Sequence, residues 1–123
     1  MNYQQHLANA LVHIGDNDEA GALAAFDEAL QEARRLDAGG PREAEVQNYL
    51  AQFHTQAGRS AEARAALERV ASIYEKFPEF VEGLKDYYLQ LMGLCVELHD
   101  EAGAEAWRAK AKALPATHDK PWR

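Results

Sequence analysis

Apolar residues along this chain recur at three- and four-residue spacing, in six stretches separated by helix-breaking clusters. The breakers are Gly15-Asp16, Gly39-Gly40-Pro41, Gly58-Arg59-Ser60, Phe77-Pro78, His99-Asp100 and Pro115. Between them lie Leu7, Leu11 and Ile14; then Ala22, Phe26, Ala29, Leu30 and Ala33; then Val46, Leu50, Phe53 and Ala57. The fourth stretch shows Ala63, Ala66, Leu67, Val70 and Tyr74. The fifth is the most apolar, with Phe80, Leu84, Tyr87, Tyr88, Leu91, Leu94, Cys95 and Leu98. The sixth has Ala102, Ala106, Ala109 and Ala113, with Trp107 beside them. Each set forms one stripe on a helix and needs a packing partner. Strand-like alternation is absent, and Ala, Leu, Glu, Gln and Arg, all good helix formers, dominate. The pattern predicts an all-α fold of six helices.

Signals at the ends agree. Asp16 followed by Glu19 has the form of a capping box, and Ser60 and Asp100 are expected to cap the fourth and sixth helices. Gly15 and Gly58 suit the left-handed residue that closes a helix. Pro41 and Pro78 fit first-turn positions, where a missing N–H costs nothing.

The stretches also repeat. An offset of 43 residues carries Leu7-Ala8 to Leu50-Ala51, Gly15 to Gly58 and Ala20 to Ala63, and an offset of 41 carries Leu50 to Leu91, Gly58 to His99 and Ala63 to Ala104. The first unit reads Leu7-Ala8, Leu11, Gly15-Asp16, Ala22, Phe26, Ala29; the second Leu50-Ala51, His54, Gly58-Arg59, Ala63, Leu67, Val70; the third Leu91, Cys95, His99-Asp100, Ala104. On these residues the chain resembles the tetratricopeptide repeat family, from about Tyr3 to Leu114. The resemblance implies three antiparallel helix-turn-helix units stacked as a short right-handed α-solenoid. The units run over about 3–37, 41–77 and 78–114 in a single domain 1–114, followed by a tail 115–123. The period exceeds the family's usual value of about 34, which longer helices, as in kinesin-light-chain-like repeats, would explain. An unrelated antiparallel helical bundle is the alternative. The first unit's second helix looks displaced by two residues, and in the third unit Arg108 falls where a large apolar residue is expected. A slip of a residue or so there would bring Trp107 into that place.

The bulk composition fits this picture. The chain has 123 residues, 47% hydrophobic and 27% charged, which suits one globular domain. Its net charge of -7, from 20 acidic and 13 basic residues with no basic cluster, argues against nucleic acid as a partner. No apolar run reaches the roughly 18 residues of a membrane span, and the start, Met1 to His6, lacks signal-peptide character. The single Cys95 excludes an internal disulfide. The expectation is a soluble, cytoplasmic protein without membrane contact.

Candidate chemistry is thin. His6 and His13 share a helix face but stand about 10.5 Å apart along the axis, too far for both to bind one metal through bonds of about 2 Å. His54 is expected to be a packed, hydrogen-bonded core histidine, and Cys95 a buried inert thiol. His99-Asp100 and His118-Asp119 fit chance pairs better than a phosphohydrolase motif. Asp16 to Glu19 lacks the calcium-loop pattern. Tyr87, Tyr88, Phe53 and Met92 read as core. No enzyme, metal or cofactor is expected.

The resemblance implies instead a groove lined by the first helix of each unit, which holds a protein or peptide. The positions that match groove-facing ones are Gln5, Asn9 and His13 in the first unit, Glu45, Asn48, Tyr49 and Gln52 in the second, and Leu89 and Gly93 in the third. Members that clamp acidic chaperone tails use cations where this chain has Gln5 and Glu45, so such tails are not the expected ligand. Amide side chains suit a peptide backbone, which offers both donors and acceptors. The expected function is an adaptor or scaffold. The alternative is a self-association module, because the last unit leaves a face that the tail with Trp122, or a second subunit, would cover.

Overall fold

The structure, a computed structural model, describes residues 1–115. Six α-helices fill that span: α1 (Tyr3–Gly15), α2 (Glu19–Asp37), α3 (Pro41–Gln56), α4 (Ser60–Tyr74), α5 (Val81–Glu97) and α6 (Glu101–Ala113). A single 3-10 turn, Pro78–Phe80, precedes α5. The described residues contain no strand. The fold is all-α, with helices packed pairwise in a solenoid-like arrangement. Short turns make antiparallel hairpins of α1/α2, α3/α4 and α5/α6, and α2 packs on α3 and α4 on α5. The tail, with Trp122 and His118-Asp119, lies outside the described residues.

The turns inside the hairpins correct the sequence alignment. Each has one residue with positive φ: Asn17 (57°), Gly58 (79°) and His99 (60°). Asn17, not Gly15, is therefore the counterpart of Gly58, and Asn is a residue type that tolerates this left-handed backbone. In all three turns a backbone N–H reaches back five residues to a carbonyl: Asp18 to His13, Arg59 to His54 and Asp100 to Cys95, each at 2.8 Å. The turns thus recur at 41 residues throughout, and the expected two-residue displacement of α2 does not occur. The small positions Ala22, Ala63 and Ala104 share one place, as do Ala10, Ala51 and Met92.

Capping differs from expectation at two helices. Asp18, not Asp16, caps α2, accepting from the Gly21 N–H at 2.9 Å, while Asp16 ends α1. Ser60 is already the first residue of α4; its hydroxyl donates to Glu97 at 2.7 Å, and Arg59 holds the cap place with no side-chain cap bond. Asp100 caps α6 as expected, accepting from the Gly103 N–H at 2.9 Å. A full capping box stands at α1, where Asn2 and Gln5 bond each other's backbone N–H at 2.8 Å. Pro41 opens α3 and Pro78 the 3-10 turn.

Two apolar clusters hold the stack. Leu7, Ala10, Phe26, Ala29 and Ala33 of the first hairpin pack with Val46 of α3, with Leu50 and Phe53 against them. The Phe26 and Phe53 rings lie 5.7 Å apart. Further along, Ala63, Leu67 and Ala71 of α4 pack with Leu84, Tyr88, Leu91 and Leu94 of α5. Trp107 joins this second cluster, 5.6 Å from the Tyr88 ring. It does so without a register slip. Trp107 stands where earlier units have Ala25 and Ala66, and Arg108 stays exposed in the place of Phe26 and Leu67.

Candidate functional site

The constant register shows which residues of α1, α3 and α5 stand side by side. Three levels are exposed or half-exposed in every unit: Gln4, Glu45 and Asp86; Ala8, Tyr49 and Gln90; Leu11, Gln52 and Gly93. They form one stripe across the first helices. Tyr49 is 37% exposed and Leu11 is 49% exposed, so the stripe carries apolar contact area among amides. The phenol of Tyr3 donates to Glu45 Oε1 at 2.8 Å and ties α1 to α3 along this face. Burial, then the bond to Glu45 and its charge, raise the Tyr3 phenol above its ordinary range.

Glu45, Tyr49, Gln52 and Gly93 of the sequence-derived set lie together on this stripe. The other five stand elsewhere. Gln5 is engaged in the capping box at the start of α1. Asn9 lies on the N-terminal end of the stack, at the place of Leu50 and Leu91, where its amide reaches Met1 Sδ at 3.8 Å. His13 closes the α1/α2 turn, its Nδ1 2.9 Å from Asp18 Oδ2. Asn48 is half-buried towards the next unit, and Leu89, its counterpart, opens onto the C-terminal end. The α1 residues at the levels of Glu45, Tyr49 and Gln52 are Gln4, Ala8 and Leu11. The signal that finds them is the 41-residue spacing from Glu45, Tyr49 and Gln52.

His54 is half-buried and accepts from Arg59 Nε at 3.1 Å. Burial, then the Arg59 charge, lowers its pKa, which suits a ring that accepts from a guanidinium. Cys95 is buried, 3.9 Å from Arg64 Nη1. Among the described residues no group of three or more His, Cys, Asp or Glu side chains is placed to hold a metal ion. No helix among them is long and apolar enough to cross a membrane.

One ionisable cluster was missed. Glu43 is fully buried, its carboxylate bonded by Arg69 at 2.8 and 3.1 Å and by the Gly39 N–H at 2.9 Å, with Arg34 Nε 3.3 Å away. The Arg69 bonds, helped by the Gly39 N–H and the Arg34 charge against the cost of burial, hold its pKa down to about 2. In sequence Glu43 looks like an ordinary first-turn acid after Pro41, and its arginines come from two other helices. The cluster joins α2, α3 and α4, and is architectural: both carboxylate oxygens are already bonded.

No protein-family model matches this sequence, and no curated protein matches it. Among solved structures the chain is similar to the crystal structure of BtubC (BKLC) from P. vanneervenii, with a TM-score of 0.81 and 22% identity over 95% of this chain. The match takes in 48% of that chain, so this sequence spans about half the length of the protein it matches. At that identity the likeness shows the all-α fold alone.

Proposed function

We propose that the chain is a tetratricopeptide-like, right-handed helical stack that acts as a non-catalytic adaptor in the cytoplasm. It holds an extended peptide or a partner protein along the stripe on α1, α3 and α5. The carrying observation is the exposure of Leu11 on α1 and Tyr49 on α3 among Gln4, Gln52 and Gln90. Amides bond a peptide backbone in either direction, and the two apolar groups supply anchoring area. Glu45 and Asp86 share one end of the stripe, which favours a ligand with a basic residue there. The tetratricopeptide reading is supported by the placement of Ala10 and Ala51, of Ala22, Ala63 and Ala104, and of Phe26 and Leu67 at the pattern's small and large positions.

The test is selection of a random peptide library on the intact chain and on a variant with Leu11→Asp and Tyr49→Asp. Both positions are exposed, so the variant is expected to fold. The reading expects enriched peptides that bind the parent at least about tenfold more tightly than the variant. Equal binding to both proteins, or no enrichment, would contradict it.

A further inference from the structure

The C-terminal end of the stack holds a groove of about 1010 Å³ between α5 and α6, walled by Leu89 and Met92 on one side and Arg108, Ala111 and Lys112 on the other. It continues past Val96 towards Glu101 and Glu105. Leu89 is 40% and Val96 62% exposed, and with Met92 they form a seam along α5.

The repeat register shows what this face is suited to cover. In the first hairpin the equivalent face is apolar on both helices, with Leu7, Phe26 and Leu30, and it receives Val46, Leu50 and Phe53 of α3. In the third hairpin the α5 half stays apolar, but Arg108 and Lys112 replace Phe26 and Leu30 on α6. A further repeat unit docked there would bury two cations. Nor does the opposite end fit. Gln5, Asn9 and Val12 stand where the internal junctions have Val46, Leu50 and Phe53, so head-to-tail stacking would set two amides against an apolar seam.

The face is, however, complementary to itself. We propose that a second copy of this chain covers it, face to face about a two-fold axis, with α5 antiparallel to α5 and α6 antiparallel to α6. On α5 the seam is symmetric about the Met92-Gly93 bond, which sets Leu89 against Val96 of the other copy and Met92 beside its own counterpart. On α6, Glu101 and Lys112 are symmetric about the Ala106-Trp107 bond, and so are Glu105 and Arg108. One rotation therefore joins the apolar seams and brings acid to base at both ends of α6. Among the described residues Glu101 and Lys112 form no ion pair, and Glu105 meets Arg108 only at 3.4 Å on the surface. The pairing closes on itself, so it yields a dimer and no fibre. It borders the stripe on the first helices, whose Asp86 lines the same groove, and does not depend on the peptide reading.

Light scattering coupled to size exclusion, over a hundredfold concentration range, tests this on the intact chain. The parent is expected at twice the chain mass of 13.7 kDa. Leu89→Glu with Val96→Glu is expected to be monomeric, with a circular-dichroism spectrum like the parent's. Lys112→Glu sets acid against acid twice and is expected to weaken the dimer at least about tenfold; adding Glu101→Lys reverses both partners and restores it. A parent that is monomeric at every concentration would overturn the proposal. So would a dimer indifferent to Lys112→Glu, or one that Glu101→Lys fails to rescue.

Discussion

The two junctions between hairpins share a register but not a chemistry. Where α2 meets α3, the apolar contact of Phe26 and Phe53 is joined by the buried carboxylate of Glu43 between Arg34 and Arg69. Where α4 meets α5, the polar cluster gives way to rings: Tyr74 stacks on Phe80 at 4.5 Å and meets Tyr87 at 5.7 Å. Glu75 there accepts from Tyr88 at 2.5 Å and Lys110 at 2.8 Å. Burial pushes the Glu75 pKa up, but the Lys110 and Tyr88 bonds outweigh it and leave it lowered. The turn ends differ too. Glu19 pairs with Arg59 across the first junction, whereas Arg64 pairs with Asp100 across the second, with the signs exchanged. A hairpin docked at the wrong junction would bring like charges together, so these contacts specify order as well as attraction.

The largest expected effect lies inside the middle hairpin. Ala63→Arg overfills a fully buried position and buries a charge, so a loss of about 4 kcal/mol or more is expected, enough to unfold the hairpin and break both junctions. A parent-like thermal melt would contradict the register. Phe26→Ala should cost about 3–4 kcal/mol by opening a cavity at the first junction, measured by urea denaturation.

Glu43→Gln separates the junctions by pH. The folded pKa of Glu43, about 2, lies below the ordinary value of 4.5, so its contribution is complete above pH 4.5 and is lost as pH falls towards 2. The pair is buried on the carboxylate side, while its arginines are half-exposed. A loss of roughly 2–3 kcal/mol at pH 7 is therefore expected, with a stability curve flatter than the parent's between pH 4.5 and pH 2. An unchanged acid slope would remove Glu43 from the account. Tyr88→Phe is the mildest change, leaving the ring and deleting one bond to Glu75, for about 1 kcal/mol and little change in acid slope.

The helices were legible in the sequence because their apolar stripes depend only on spacing, and all six appear where the pattern put them. The finer alignment failed where two residue types compete for one role. Gly15 looked like the left-handed residue, but Asn17 adopts that backbone two positions later. Ser60 looked like a cap, but Arg59 stands in the cap position. With α1 two residues out of step, an offset of 43 set Gln5 and Asn9 level with Asn48 and Gln52, where the constant period of 41 sets Leu7 and Leu11. The Glu43 cluster was beyond sequence reasoning, because Arg34 and Arg69 reach it from separate helices with no local spacing to mark them.

The central claim is that the stripe on α1, α3 and α5 is the binding surface. Backbone amide chemical shifts, followed while a selected peptide is titrated into the intact chain, test it most directly. The account predicts shifts concentrated at Ala8, Leu11, Glu45, Tyr49, Gln52 and Gln90. Shifts confined to α2, α4 and α6, or to Leu89, Met92 and Val96, would contradict it.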